Sequence, residues 1–150
     1  MRIVIQRVNH ASVTIGGEER SAIGKGLLIL VGVEEADTGE DIKWLCSKAA
    51  NLRIFDDKNG VMNLSVKDIS GEVLVVSQFT LYASTRKGNR PSYIKAAGHM
   101  HAIPMYEDFC DEMEALLDKK VGRGEFGADM QVALENSGPV TIIIDSKNRE

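Results

Sequence analysis

Apolar and polar residues alternate from Arg2 to Val8, which predicts a strand half-buried on one face. Ser12 to Ile15 reads as a second strand, closed by a Gly16-Gly17 turn signal. Leu27-Leu28-Ile29-Leu30-Val31-Gly32-Val33 is nearly continuous in apolar residues, the mark of a strand buried on both faces. Thr38 with Asp41 three positions on resembles a capping box, and the helix behind it sets Ile42, Leu45, Ala49 and Leu52 on one side. Asp57-Lys58-Asn59-Gly60 is a turn between Leu52–Phe55 and Val61–Leu64, and Val73 to Phe79 is another buried strand. Ser84 to Pro91 is polar, cationic and rich in turn formers, so it reads as a surface loop.

A second helix starts near Pro104 and carries Tyr106, Phe109, Cys110, Met113, Leu116 and Leu117 at helical spacing, with Gly122 and Gly124 past its end. Phe126, Ala128, Met130, Val132 and Leu134 alternate as a strand. Asn136-Ser137-Gly138-Pro139 breaks that strand, and Val140 to Ile144 forms the last one. The polar tail from Ser146 frays. No repeat, linker or low-complexity tract interrupts the pattern, so the expectation is one mixed α/β domain over residues 1–150 in which sheet predominates.

Composition narrows the function. With 18 Lys+Arg against 22 Asp+Glu, the net charge of −4 excludes a basic coat for long stretches of phosphate backbone. It allows contact with a few phosphates. The N-terminus lacks the apolar run of a signal peptide, and no stretch approaches the ~20 apolar residues of a membrane helix, which suits a cytoplasmic protein. Cys46 and Cys110 both fall on helical patterns and read as buried thiols acting as small hydrophobes.

The familiar catalytic constellations are missing. Ser77 and Thr80 are candidate nucleophiles at a strand end, but no motif ties His10, His99 or His101 to them. His99-x-His101 lacks a companion cluster of ligands, so both read as solvated loop histidines and no metal is expected. Gly24-Lys25-Gly26 is too short for a phosphate-binding loop, and Asp57-x-Asn59-Gly60 is a hairpin turn, since a calcium loop would need ligands at Phe55 and Val66. Two segments stand out. Ser77-Gln78-Phe79-Thr80 ends an apolar strand in small polar residues, and Asn136-Ser137-Gly138-Pro139-Val140-Thr141 contains a Gly-Pro bond that can be cis or trans.

Together these segments resemble the D-aminoacyl-tRNA deacylase family, also called D-tyrosyl-tRNA deacylases. The resemblance extends through Met1 to Val8, Ala11-Ser12-Val13, Arg53-Ile54-Phe55, Met62 to Val66, Gly88-Asn89-Arg90-Pro91-Ser92-Tyr93 and Phe126-Gly127-Ala128-x-Met130. It implies a compact barrel-like α/β fold with two main flanking helices, working as a homodimer without a cofactor. It also implies hydrolysis of the ester joining a D-amino acid, or glycine, to the 3′ end of tRNA. Ser77, Gln78, Phe79 and Thr80 would form the reacting wall, and a cis Gly138-Pro139 of the other subunit would face it as a chiral filter. Phe126 and Met130 would receive the terminal adenine, while Arg86, Lys87, Arg90 and Lys95 would meet acceptor-stem phosphates.

The chemistry fits these residues. D- and L-esters carry identical groups, so transfer energy cannot separate them, and rejection by ~10⁴ requires about 5.5 kcal/mol. A wall of main-chain atoms can impose that by clash, and glycine would pass it. An aminoacyl ester is already activated, so the ribose 2′-OH and main-chain N–H groups near Phe79 and Thr80 could carry the reaction. Thr80 as nucleophile is the rival mechanism, and core packing is the rival role for Met130. A small-molecule esterase and a module that only binds nucleic-acid ends are the rival functions.

Overall fold

The computed structural model describes residues 1–150. Its spine is β1 (Arg2–Ile15), a single 14-residue strand where the sequence suggested two. Along one edge β1 pairs antiparallel with β8 (Gln131–Asp145). Along the other it pairs first with β3 (Gly26–Gly32) and then with β2 (Glu18–Ile23), so one strand serves two neighbours in succession. β6 (Glu72–Ser77) lies parallel to β3, and β7 (Gly122–Arg123) lies parallel to β6. The result is a nearly closed, barrel-like sheet. β4 (Phe55–Asp56) and β5 (Met62–Leu64) make the small hairpin expected around Asp57–Gly60.

Two apolar layers explain the continuous hydrophobic runs. Leu27, Ile29 and Val31 of β3 and Val73 and Val75 of β6 join the main core. There they meet Leu45 and Ala49 of α1 (Gly39–Asn51) and Phe109 and Met113 of α2 (His99–Leu117). The intervening Leu28, Leu74 and Val76 point the other way, into a second cluster with Val8, Val13 and Ile23. Strands buried on both faces need no polar alternation. Cys46 and Cys110 are buried free thiols on the two helices, as expected. Burial in apolar surroundings pushes the Cys110 thiol up to about 12. No helix is long and apolar enough to cross a membrane.

The capping box at α1 is formed: the Thr38 side chain accepts from the Glu40 amide, and the Asp41 carboxylate accepts from the Thr38 amide. Asp41 also receives the Lys147 ammonium at 2.9 Å, tying the last residues to the helix start. Burial alone would raise the Asp41 carboxyl. Hydrogen bonds from Ser146, Lys147 and Thr38 outweigh it and hold the group far below its ordinary 3.8. A depressed carboxyl contributes stability that is complete above the ordinary value and fades as pH falls through the folded one. Asp41→Asn is therefore expected to lower Tm by a few degrees at pH 7, with a deficit that holds down to about pH 5 and narrows below about pH 4. Thermal melts across that range check it.

Besides the merged β1 and the tail, where Ser146 is buried and Lys147 is bonded to Asp41 so that the chain does not fray there, four elements differ from the sequence pattern. β6 stops at Ser77, and Phe79–Tyr82 is a short 3-10 turn. α2 begins at His99 and contains Pro104, which sits on an exposed side where the freed carbonyl meets water. His99 and His101 are consequently helical and outside any loop, and the His101 ring lies 3.1 Å from the Asp37 carbonyl. Residues 126–130 are not a strand, because Gly127 takes φ +79° and the Ala128 amide closes a turn on the Glu125 carbonyl at 3.2 Å. Finally, β8 runs through Asn136–Pro139 as a bulge and is not broken there.

Candidate active site

The parallel pair β3–β6 ends where Gln78 donates its amide to the Val31 carbonyl at 2.7 Å. Beyond that bond the chain turns into the 3-10 turn, whose first internal hydrogen bond is donated by Leu81. The amides of Phe79 and Thr80 precede it and have no acceptor within the turn. The strand ends, the start of α2 and the 126–132 segment enclose a cavity of about 620 Å³. Its walls are mainly hydrophobic, 13 of 18 residues, and include no Asp, Glu, Lys or Arg. Ser77, Gln78 and His99 supply polar side chains. Tyr106 also lines it, but its hydroxyl is committed to the Val75 carbonyl at 2.9 Å, and burial pushes that phenol far up.

The cavity gathers some of the residues singled out from sequence and leaves others outside. Ser77, Gln78 and Phe79 line it, as do Phe126 and Met130. Thr80 does not, and its hydroxyl accepts a hydrogen bond from the Gln78 amide. Arg86, Lys87 and Arg90 are exposed on a hairpin closed by the Ser84–Ser92 bridge. That hairpin leads into Lys95, also exposed, past Tyr93, whose ring meets Phe79 edge-on at 5.0 Å. Tyr93 and His99 are wall residues to which the sequence assigned no binding role: Tyr93 appeared only as the end of the Gly88–Tyr93 motif, and His99 read as a solvated loop histidine. A lone histidine pair without ligand spacing carried too little signal.

Gly138 and Pro139 lie apart from the cavity of their own chain, on the exposed side of β8. Their peptide bond is cis. Gln6 pairs with Thr141 and Val8 with Asn136, so residues 137–140 oppose Arg7 alone and arch over it. Arg7 anchors the arch from beneath: its Nε donates to the Ser137 carbonyl at 3.0 Å and its Nη1 to the Ile54 carbonyl at 2.7 Å. The Arg7 side chain is only 13% exposed, with Asp56 at 3.6 Å. Asn136 ties the base of the arch to the Gln6 side chain, the Thr141 hydroxyl and the Val140 amide, each at 3.0 Å. Gly138 takes φ +124°, and a Cβ there would stand 2.8 Å from Arg7 Nη2. Arg7 falls within the Met1–Val8 stretch that carries the resemblance, but by pattern it reads as one more polar position on an alternating strand, with no role assigned to it.

No cluster of three or more His, Cys, Asp or Glu is placed to hold a metal ion. The cavity can bind an apolar or aromatic group at the Phe126–Met130 end and present polar atoms and main-chain amides at the Ser77–Phe79 end.

Known proteins match this arrangement over its whole length. The family model described as D-Tyr-tRNA(Tyr) deacylase matches residues 4–145. A D-aminoacyl-tRNA deacylase of Bacteroides fragilis is 65% identical, and one of Porphyromonas gingivalis 66%, each covering 100% of both chains. Among solved structures, one described as c-Myc DNA Unwinding Element Binding Protein superposes with TM-score 0.90 at 40% identity, covering 97% of this chain and 98% of that one. A probable eukaryotic D-amino acid tRNA deacylase superposes with TM-score 0.83 over 95% of this chain and 97% of that one; at 15% identity it speaks for the fold alone. On the full-length family match and these identities, the chain belongs to the D-Tyr-tRNA(Tyr) deacylase family, hydrolases acting on an ester bond.

Proposed function

We propose that the protein hydrolyses the ester linking a D-amino acid, or glycine, to the 3′ end of tRNA, and that it rejects L-esters by steric exclusion. The observation that carries this reading is the separation of two built parts on one chain. The cavity ends in Ser77–Phe79, while the anchored Gly138–Pro139 arch points away from it into solvent. A homodimer lets each arch reach the other subunit's cavity, with two equivalent sites under two-fold symmetry. The arch presents main-chain atoms and a proline ring, which have no rotamers to yield to an L side chain.

The chemistry is substrate-assisted. With no carboxylate in the cavity, the terminal ribose 2′-OH helps, and the amides of Phe79 and Thr80 orient the ester. Phe126 and Met130 hold the terminal adenine, and Arg86, Lys87 and Arg90 meet nearby phosphates, which gives a small cationic footprint on an acidic body.

Thr80 lies outside the cavity with its hydroxyl bonded to Gln78, which supports a supporting role over a nucleophilic one. Thr80→Ala is expected to retain single-turnover deacylation of D-Tyr-tRNA within about tenfold; a loss of ~10³ would make Thr80 the nucleophile. The assay that tests the function compares D-Tyr-tRNA with D-tyrosine ethyl ester. Turnover confined to the tRNA ester supports the reading, equal turnover of both would indicate a general esterase, and tRNA binding without hydrolysis would indicate a binding module.

A further inference from the structure

His99 is the one polar wall residue whose position neither the reaction nor the fold accounts for. It opens α2, faces the cavity, and stands edge-on to Phe126 with ring centroids 5.4 Å apart and planes at 82°. His101, two residues on, is engaged by the Asp37 carbonyl, whereas neither ring nitrogen of His99 makes a hydrogen bond within the chain. An imidazole offers a donor or acceptor on each nitrogen, and here it does so at the rim of a mostly apolar cavity. Its place beside Phe126 puts it at the nucleotide end, while Ser77–Phe79 form the other wall.

We propose that His99 is a binding residue for the terminal nucleoside of the tRNA: its ring closes the rim beside the base held against Phe126 and hydrogen-bonds a polar edge of that nucleoside. The inference rests on the deacylase reading above and deepens it. The contact selects the nucleotide and is indifferent to the aminoacyl group. It acts equally in the ground state and the transition state, so it sets KM and leaves kcat alone.

Three variants test it, and the exposed ring makes misfolding no obstacle. His99→Ala is expected to raise KM for D-Tyr-tRNA about three- to tenfold with kcat unchanged, the range of a single hydrogen bond. His99→Gln keeps a donor and an acceptor at that position and is expected to recover most of the loss. His99→Phe keeps the ring against Phe126 without hydrogen bonding and is expected to behave as His99→Ala. Wild-type KM in His99→Ala, or full rescue by Phe, overturns the proposal while leaving the deacylase function intact. A fall in kcat instead of a rise in KM also overturns it, by placing His99 in the chemistry. Inactivity of the wild-type protein on D-Tyr-tRNA would refute the deacylase reading itself, and His99's assignment with it.

Discussion

Arg7→Ala is expected to cut kcat/KM for D-Tyr-tRNA by about 10²-fold or more and to shrink the margin between D- and L-Tyr-tRNA, although Arg7 lies outside the cavity. The guanidinium holds the Ser137 and Ile54 carbonyls at 3.0 and 2.7 Å, directly under the arch that carries Gly138–Pro139. Removing it leaves both carbonyls without that donor, at roughly 1–3 kcal/mol for each one that stays buried. The larger consequence is positional, because a steric filter discriminates only while its atoms stay in place, and a shift of ~1 Å can cost 10²-fold in rate. Arg7→Lys should rescue poorly, since one ammonium cannot reproduce two donors in a fixed plane. Single-turnover rates for both stereoisomers, with a melt to verify folding, check the expectation. Unchanged rates and an unchanged D/L ratio would show that the arch holds its shape without Arg7.

Gly26→Ala should have the largest effect on stability. Gly26 opens β3 between Val8 of β1 and Glu72 of β6, and a Cβ there would lie 1.8 Å from the Glu72 carbonyl oxygen and 2.7 Å from its nitrogen. Both are main-chain atoms of a paired strand, so no rotamer relieves the clash, and β6 must move off β3. Overpacking ordinarily costs ~1–3 kcal/mol, and this one belongs at or above the top of that range. Since Ser77 ends β6, the displacement would also disturb the cavity wall. Gly24→Ala is the matched control: its Cβ would meet only the end of the Glu72 side chain, at 3.4 Å, and should change stability by no more than ~0.5 kcal/mol. Urea unfolding of the two variants measures the contrast.

The tetrad Gly24-Lys25-Gly26-Leu27 shows what sequence reading could and could not reach. Leu27 to Val33 announced a strand buried on both sides, and the two apolar clusters show why that pattern is legible. The requirement for glycine at 26 depends on how closely another strand passes, which local pattern does not encode. Capping residues Thr38 and Asp41 were readable because they act within four positions. The start of α2 was not, because Pro104 resembles a first-turn proline, whereas here it sits in the interior on the exposed side. Phe126, Ala128 and Met130 alternate as a strand would, yet a turn at Gly127 brings them to a cavity wall. The Ser77–Phe79 and Gly138–Pro139 segments were legible as unusual polar or conformationally special residues beside apolar strands. Arg7, His99 and Tyr93 were not, since their meaning comes from neighbours that lie 14, 27 or 130 residues away in sequence and meet only in the fold.

The charge of −4 fits this account, because the exposed cations at Arg86, Lys87 and Arg90 cluster on one hairpin that leads into the cavity-wall residue Tyr93. That footprint suits salt-sensitive contact with one end of a tRNA. The central claim is stereochemical, and the single-turnover rate ratio for D-Tyr-tRNA over L-Tyr-tRNA tests it most directly. The account predicts a ratio of about 10⁴, with Gly-tRNA hydrolysed because it has no side chain to clash. Comparable hydrolysis of the L- and D-esters would contradict it.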